Sequence, residues 1–452
     1  MVINMECLIG MRMMLSDNSI DAVVTDPPYG LSKQPDMNEV LRHWLNGDDY
    51  VHTGGGFMGK TWDSFVPGPS VWKEVFRVLK PGGHLLAFFG TRTYDLGTLA
   101  IRLAGFEIRD QIDWVYGSGF PKSLDISKAI DKASGAEREV IGVVDPRSSF
   151  DGRDRKSSAI NNNWRDAENR HDTMDLSKKL ITAPATDEAK QWQGWGTALK
   201  PAHEPICVAR KPLAGTVAEN ILQFGTGGMN IDGCRTELNG DFKSSANGRP
   251  SITGLSDNYD PSTANQPDTQ GRFPANFIHD GSYEVVSLFP AKAGAAAPIK
   301  GTEASQASTG NVTGQRERVP GAFHADSGSA ARFFYCAKAS KSDRDEGVML
   351  AMVTAAEMTD REPDTDGLNS PRAGAGRTSG ARNNHPTVKP TALMQWLVRL
   401  VTPPGGKVLD PFTGSGSTGK ACAIEGFEFI GFEMDPHYCE IAKQRIAYVH
   451  TR

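Results

Sequence analysis

The sequence predicts an α/β fold, a mostly parallel sheet covered by helices. Three observations carry the prediction. Residues 1 to about 116 alternate between short apolar or β-branched runs and amphipathic helical periods. The segment KVLDPFTGSGSTGKACAIEGFEFIGFEMD, Lys407 to Asp435, reads as strand, glycine-rich turn, helix and strand. Between these ordered ends lies a long stretch rich in Gly, Ser, Asn, Asp and Pro, with only short apolar islands.

The elements follow in order. CLIGMRMML is broken by Arg12 and followed by Ser-Asp-Asn, so it is a poor signal peptide and a better amphipathic first helix. Val23-Val24-Thr25 is a strand that ends abruptly in Asp26-Pro27-Pro28-Tyr29. VWKEVFRVLK (71–80) is an amphipathic helix stopped by Pro81-Gly82-Gly83, and HLLAFFG (84–90) is a buried strand. A helix over about 93–104 and an extended segment, FEIRDQIDWVYG (106–117), complete this part. From about 118 to 384 loops dominate, with EPICVARKPL (204–213) and ARFFYCAKAS (331–340) as islands. Order returns at Pro390, before a helix over about 391–401 that carries Leu393, Leu397, Val398 and Val401 on one face. The chain closes on a helix with Asp435 as N-cap and Pro436 in its first turn.

Composition narrows the class. A chain of 452 residues has room for about two to four domains. With 38% hydrophobic and 23% charged residues it is ordinary for a soluble globular protein, and no apolar run approaches the ~20 residues of a membrane span. Six cysteines without a CxxC pair argue against a zinc site or a disulfide framework and fit a reducing cytoplasm. The net charge of −5 supplies no basic field, so any nucleic-acid contact must rest on local basic patches.

The C-terminal segment is a nucleotide-binding βαβ unit. Gly414 and Gly416 let backbone approach a ligand, the following helix offers free N–H groups, and Glu433 ends the next strand where a carboxylate can take ribose hydroxyls. The spacing Gly414-x-Gly416-x-x-Gly419 also satisfies the dinucleotide fingerprint, so a NAD-dependent oxidoreductase has to be weighed. Position decides against it: only 19 residues follow Glu433, enough for one helix. The rest of the sheet must come from the N-terminal half.

With both motifs in that order, the chain resembles the β-class amino-methyltransferases of DNA, of the N6-adenine type. Asp26-Pro27-Pro28-Tyr29 matches the catalytic motif, Asp410-Pro411-Phe412-Thr413-Gly414-Ser415-Gly416 the cofactor motif, and His385-Pro386-Thr387-Val388-Lys389-Pro390 the segment before it. GKTWDSF (59–65), RVLKPGGHLLAFFGTRTY (77–94) and WVYGSGFPKS (114–123) also look like bacterial and prophage adenine methylases. The resemblance implies a Rossmann-like sheet of the S-adenosyl-L-methionine-dependent kind, circularly permuted, with the catalytic half first, the cofactor half last and a large loop-rich target recognition insertion. Its expected boundaries are 1–123 for the catalytic half, 124–190 for an insertion, 191–213 for the returning strand, 214–380 for target recognition and 381–452 for the cofactor half.

The chemistry accounts for these residue types. An exocyclic amine is a poor nucleophile because its lone pair is delocalised into the ring. An Asp26 carboxylate on one N–H and a Pro27 carbonyl on the other would pull that nitrogen toward tetrahedral geometry, with Pro27 and Pro28 stiffening the turn. Tyr29 offers a flat face to an extruded base. For the cofactor, S-adenosyl-L-methionine, the resemblance implies Phe412 beside the adenine and Glu433 on the ribose. It sets Asp410 and the backbone of Thr413, Gly414, Ser415 and Gly416 along the methionine, with Thr387 and Lys389 on its carboxylate. No metal is required, and His385 reads as a structural helix-entry residue.

Double-stranded DNA is the expected partner, and a homodimer is what the resemblance suggests. Arg272, Lys338, Lys341 and Arg344 are phosphate-contact candidates. RDRK (153–156) and NNNWR (161–165) suit phosphate contact or a solvated loop equally, whereas turn or core packing is the commoner fate for Trp192 and Trp195. Glu188-Ala189-Lys190 has the ExK form of some nucleases, but no nuclease centre accompanies it. The expectation is a cytoplasmic, site-specific DNA methyltransferase acting on adenine N6. Cytosine N4 is the nearest alternative, because the two amines are chemically alike. An oxidoreductase would leave DPPY without a use, and a DNA-binding module without catalysis would have damaged motifs. A methyltransferase of RNA or protein is a further alternative.

Overall fold

The computed structural model describes residues 1–52, 61–119, 123–143, 180–237, 271–292, 328–337, 342–354 and 381–451. They fall into two compact units. One comprises Met1–Gly117, His203–Met349 and His385–Arg452; the other comprises Ser118–Ala202 and Leu350–Asn384.

In chain order the strands are β1 (Val2–Asn4), β2 (Ile20–Thr25), β3 (Leu79–Phe88), β4 (Glu107–Val115), β5 (Val140–Val143), β6 (Leu180–Thr182), β7 (His203–Arg210), β8 (Phe277–His279), β9 (Tyr335–Cys336), β10 (Lys407–Asp410) and β11 (Glu428–Glu433). Nine of them form one sheet in the first unit, ordered β1-β11-β10-β2-β3-β7-β4-β8-β9. Every neighbouring pair is parallel except those of β7, which runs antiparallel to both β3 and β4. Parallel strands deliver their carboxyl ends to one edge, and the reversed β7 delivers its amino end there, with Glu204 opposite Trp114.

Buried on both faces, the central strands read as continuous apolar runs. Along β2, Ala22 and Val24 pack with Leu86, Val208 and the helix Thr391–Val401 on one face. Ile20 and Val23 pack on the other with Leu85, Trp72 and Val75, the last two from the helix Pro69–Val78. The carboxylate of Asp21 is also buried there; Lys80 Nζ at 2.6 Å and the Lys407 N–H at 2.8 Å satisfy it.

Three features depart from the sequence expectations. β3 starts at Leu79, before Pro81-Gly82-Gly83, so those residues do not form a separate turn. They bulge out of a continuing strand: the β2–β3 register passes from Ile20↔Leu79 to Ala22↔His84. Gly82 has φ 76°, and the freed Pro81 carbonyl accepts from Asn220 Nδ2 (2.9 Å) and Thr226 Oγ1 (2.6 Å). Second, β1 pairs with β11 although no strand was expected at the N-terminus. Third, β8 and β9 extend the main sheet from within the loop-rich stretch. After β11 the chain forms the helix Pro436–Val449, whose N-cap Asp435 accepts from the His437 and Tyr438 N–H groups.

In the second unit β5 and β6 pair antiparallel. Asp131, on the helix Ile126–Ser134, is buried and accepts from the Arg138 guanidinium, the Ala185 N–H, and the Thr186 N–H and hydroxyl. Trp192 and Trp195 meet edge to face at 5.0 Å. RDRK (153–156) and NNNWR (161–165) lie outside the described residues. Among the described residues no helix is long and apolar enough to cross a membrane, and no three His, Cys, Asp or Glu side chains are grouped to hold a metal ion.

The two ends of the chain are joined where β2 and β10 pair. Just past that pairing, Thr25 Oγ1 donates to Asp410 Oδ1 (2.6 Å), Thr418 Oγ1 to Oδ2 (2.7 Å) and the Phe412 N–H to Oδ1 (3.0 Å). Asp410 is 2% exposed, and burial pushes its carboxyl up to about 6 despite these donors. Thr25→Val keeps the shape of a buried strand residue but removes one donor. It should cost about 1–3 kcal/mol in a denaturant titration. Asp410 is protonated below about 6, and the Thr25 hydroxyl stabilises its ionised form, so the loss should be larger at pH 8 than at pH 5.

Candidate active site

The turn after β2 is held by side chains from elsewhere, since two successive prolines have no N–H with which to close it. The Asp63 carboxylate accepts from the Tyr29 N–H (2.7 Å) and the Gly30 N–H (3.1 Å), and Thr93 Oγ1 donates to the Tyr29 carbonyl (2.6 Å). Gly30 has φ 64°, and a Cβ there would come within 2.9 Å of the Val66 nitrogen. Asp63 belongs to the GKTWDSF segment, so its motif was visible in the sequence but its task was not.

Four side chains then converge. Lys389 Nζ lies 2.8 Å from Asp26 Oδ2, 3.1 Å from Glu204 Oε2 and 3.1 Å from the Tyr29 hydroxyl. The Tyr29 hydroxyl is 2.9 Å from Asp26 Oδ1 and 2.9 Å from Glu204 Oε2. Lys389 is 5% exposed and lies over the rings of Phe88 (4.9 Å) and Tyr29 (5.2 Å). Burial works to discharge the ammonium, but Asp26 and Glu204 outweigh it and hold Lys389 charged. Burial, followed by the charges of Asp26 and Glu204, raises the Tyr29 phenol, which therefore stays a donor.

Lys389, expected beside a methionine carboxylate, lies against Asp26 and Glu204, which supply the opposing charge a buried ammonium needs. Thr387 is exposed, and its carbonyl lies 2.9 Å from His385 Nδ1. Glu204 was not singled out from the sequence. Its one signal is a carboxylate heading an apolar strand, and only the reversal of β7 places it at the carboxyl edge.

The glycine loop follows β10. Glu433 Oε2 accepts from the Gly414 N–H (2.8 Å) and Oε1 from the Asp435 N–H (2.8 Å). Burial pushes Glu433 up to about 7; the two N–H groups restrain the rise, and the charges of Asp435 and Asp410 add to it. Gly414 has φ 51° and Gly416 φ 81°. A Cβ on Gly414 would come within 2.8 Å of His385 Nε2, and one on Gly416 within 2.9 Å of the Ala442 Cα. Bare backbone is required at both positions.

Other loop residues turn inward. Asp410, expected along the methionine, has both oxygens engaged by Thr25, Thr418 and Phe412. Thr413 Oγ1 donates to the Asp410 carbonyl (3.1 Å), and Ser415 Oγ accepts from the fully buried Arg445 (3.0 Å). Phe412 is half-buried, 6.4 Å from the Trp72 ring. His385 stacks on Trp62 (6.2 Å) and meets Tyr438 edge-on (4.7 Å). Burial pushes it down to about 4, so the ring is neutral.

Of the phosphate-contact candidates, Arg344 donates to the His385 carbonyl (3.0 Å), and the Arg272 guanidinium lies 4.5 Å from the Phe333 ring. Lys338 and Lys341 lie outside the described residues. Asp26 and the glycine loop thus follow neighbouring strands at the carboxyl edge, the usual ligand side of an open α/β sheet. Asp26, Glu204, Asp410 and Glu433 make the end of the sheet acidic, which suits a positively charged ligand.

The DNA adenine methyltransferase YhdJ of Escherichia coli (strain K12) is 41% identical over 63 residues, 14% of this chain and 21% of its own length. The type II methyltransferase M.SmaI of Serratia marcescens is 44% identical over 63 residues, 14% and 22% of the two chains. The chain therefore matches about a fifth of the length of these relatives. Among solved structures, the PvuII DNA methyltransferase (cytosine-N4-specific) aligns over 100% of this chain and 91% of its own, at 12% identity and a TM-score of 0.39. The M1.HpyAVI–SAM complex aligns over 98% of both chains, at 13% identity and a TM-score of 0.35. A family model described as DNA methylase matches residues 20–444, across both motifs and the sheet that joins them, and the chain belongs to that family.

Proposed function

We propose that this chain is a site-specific DNA methyltransferase acting on the N6 amine of an adenine turned out of the duplex, with S-adenosyl-L-methionine as methyl donor. The observation that carries the proposal is the adjacency of β2 and β10, which end in Asp26 and in the glycine loop and are tied together at Asp410.

The residues present fit the cofactor. Gly414 and Gly416 leave bare backbone, and Glu433 keeps lone pairs beyond those used by two N–H groups, enough to accept from a ribose. Phe412 would border the adenine and the exposed Thr387 would serve the methionine end. The acidic edge favours a sulfonium cation. When bound, the cofactor supplies an electrophilic methyl group.

The chain's own residues ready the target. Asp26 and the Pro27 carbonyl accept the two N–H bonds of the amine, freeing its lone pair, and the Tyr29 ring stacks on the base. Each Asp26 oxygen has a lone pair left beyond its contact with Lys389 or Tyr29. The amine gains a methyl group and loses one proton, which Asp26 accepts and passes to water.

Expression in a methylation-deficient bacterium, followed by modification-sensitive single-molecule sequencing of its DNA, tests the proposal. Methyladenine at one short motif, absent with Asp26→Ala, is the expected outcome. N4-methylcytosine would keep the mechanism and change the base, while unmodified DNA would overturn the proposal. In purified protein, Asp26→Asn should slow single-turnover transfer by about 10²–10³-fold and leave cofactor affinity within about twofold.

The raised Glu433 carboxyl gives a pH signature. Its ionised form is the ribose acceptor, so affinity for S-adenosyl-L-methionine should tighten as pH rises through about 7, by up to about tenfold per pH unit below that value. Calorimetric titrations of the wild type and Glu433→Gln check this; the variant should bind more weakly, with a flat profile.

A further inference from the structure

We infer that Glu204 is a positioning residue of the methyl-transfer site, holding the Lys389 ammonium and the Tyr29 hydroxyl so that Asp26 keeps free, fixed lone pairs for the target amine. The inference rests on the function proposed above and deepens it.

Asp26, Tyr29, Glu204 and Lys389 form a closed ring in which one ammonium and one phenol bridge two carboxylates. Tyr29 Oη spans Asp26 Oδ1 and Glu204 Oε2 at 2.9 Å each, and Lys389 Nζ spans Asp26 Oδ2 at 2.8 Å and Glu204 Oε2 at 3.1 Å. The side chains of Lys389, Asp26 and Glu204 are 6%, 18% and 20% exposed, so water does little to dilute these contacts.

The need for a second carboxylate follows from the donor count. A lysine ammonium has three N–H donors and no acceptor. Beside a single buried carboxylate it would turn all its attraction on that group, occupying the lone pairs that the amine must use. Glu204 divides the ammonium between two acceptors and leaves the cluster with one net negative charge. It also competes for the one Tyr29 proton, so Asp26 Oδ1 is only partly claimed by the phenol. Glu204 touches neither reacting atom in this scheme. It acts through Lys389 and Tyr29.

Glu204→Gln keeps the shape and an acceptor but removes the charge; Glu204→Asp keeps the charge on a shorter arm. Single-turnover methyl transfer to DNA, cofactor and DNA affinities and thermal midpoint should be measured for both and for the wild type. Glu204→Gln is expected to slow transfer by about 10–100-fold while both affinities stay within about twofold. Glu204→Asp, which restores the charge, should recover part of the rate. An unchanged rate in Glu204→Gln would overturn the inference, as would a rate loss that only tracks a lowered thermal midpoint. A wild type that methylates no DNA would overturn the underlying function and the inference with it, whereas an active wild type isolates the role of Glu204.

Discussion

The buried carboxylate of Asp410 is the constraint on which the site depends. It joins residues 385 positions apart in the chain, and it does so at the last residue of β2, before Asp26, and at the last residue of β10, before the glycine loop. A carboxylate so deeply buried is costly unless its oxygens are met by donors, and three donors from two separate segments meet them here. Because the catalytic motif opens the chain and the loop nearly closes it, no short covalent link fixes their distance. The parallel pairing of β2 with β10 and this one polar cluster do that work together.

From that junction the charges spread along the carboxyl edge of the sheet. Glu433 is pushed up by its surroundings yet held by two backbone N–H groups, and Asp26 shares Lys389 with Glu204. The acidic groups are therefore of two kinds. Asp410 is used up internally and sets geometry. Asp26 and Glu433 retain acceptor capacity, so they are the groups suited to meet ligands. The same division separates the loop residues: Thr413 and Ser415 face the protein, while Gly414 and Gly416 contribute backbone without side chains.

Much of this was legible in the sequence. The runs around Val23, Leu85, Val408 and Phe429 are long enough to show as strands, and the pairing of β2 with β10 puts the two motifs in one sheet. Less legible were features set by contacts distant in sequence. β1, β8 and β9 have two or three residues each, too few for any periodicity to register. Pro81-Gly82-Gly83 has the composition of a stop, yet Asn220 and Thr226 satisfy the displaced carbonyl and the strand continues. Glu204 and Asp63 are single carboxylates whose importance follows from the reversal of β7 and from the lack of N–H groups in two prolines. The contact of Arg344 with the His385 carbonyl, 41 positions away, has no signal in the basic and aromatic residues around it.

The most direct test of the Asp410 junction is peptide-resolved hydrogen exchange on the unliganded wild type and Thr25→Val. The informative amides are those of Tyr29 and Gly30 in the catalytic turn and of Phe412, Thr413, Gly414 and Gly416 in the loop. If Asp410 fastens the two motifs into one unit, both segments should lose protection together in the variant while β4 and β7 keep theirs. Loss in only one of the two segments, or unchanged protection in both, would contradict the junction as the element that holds the site together.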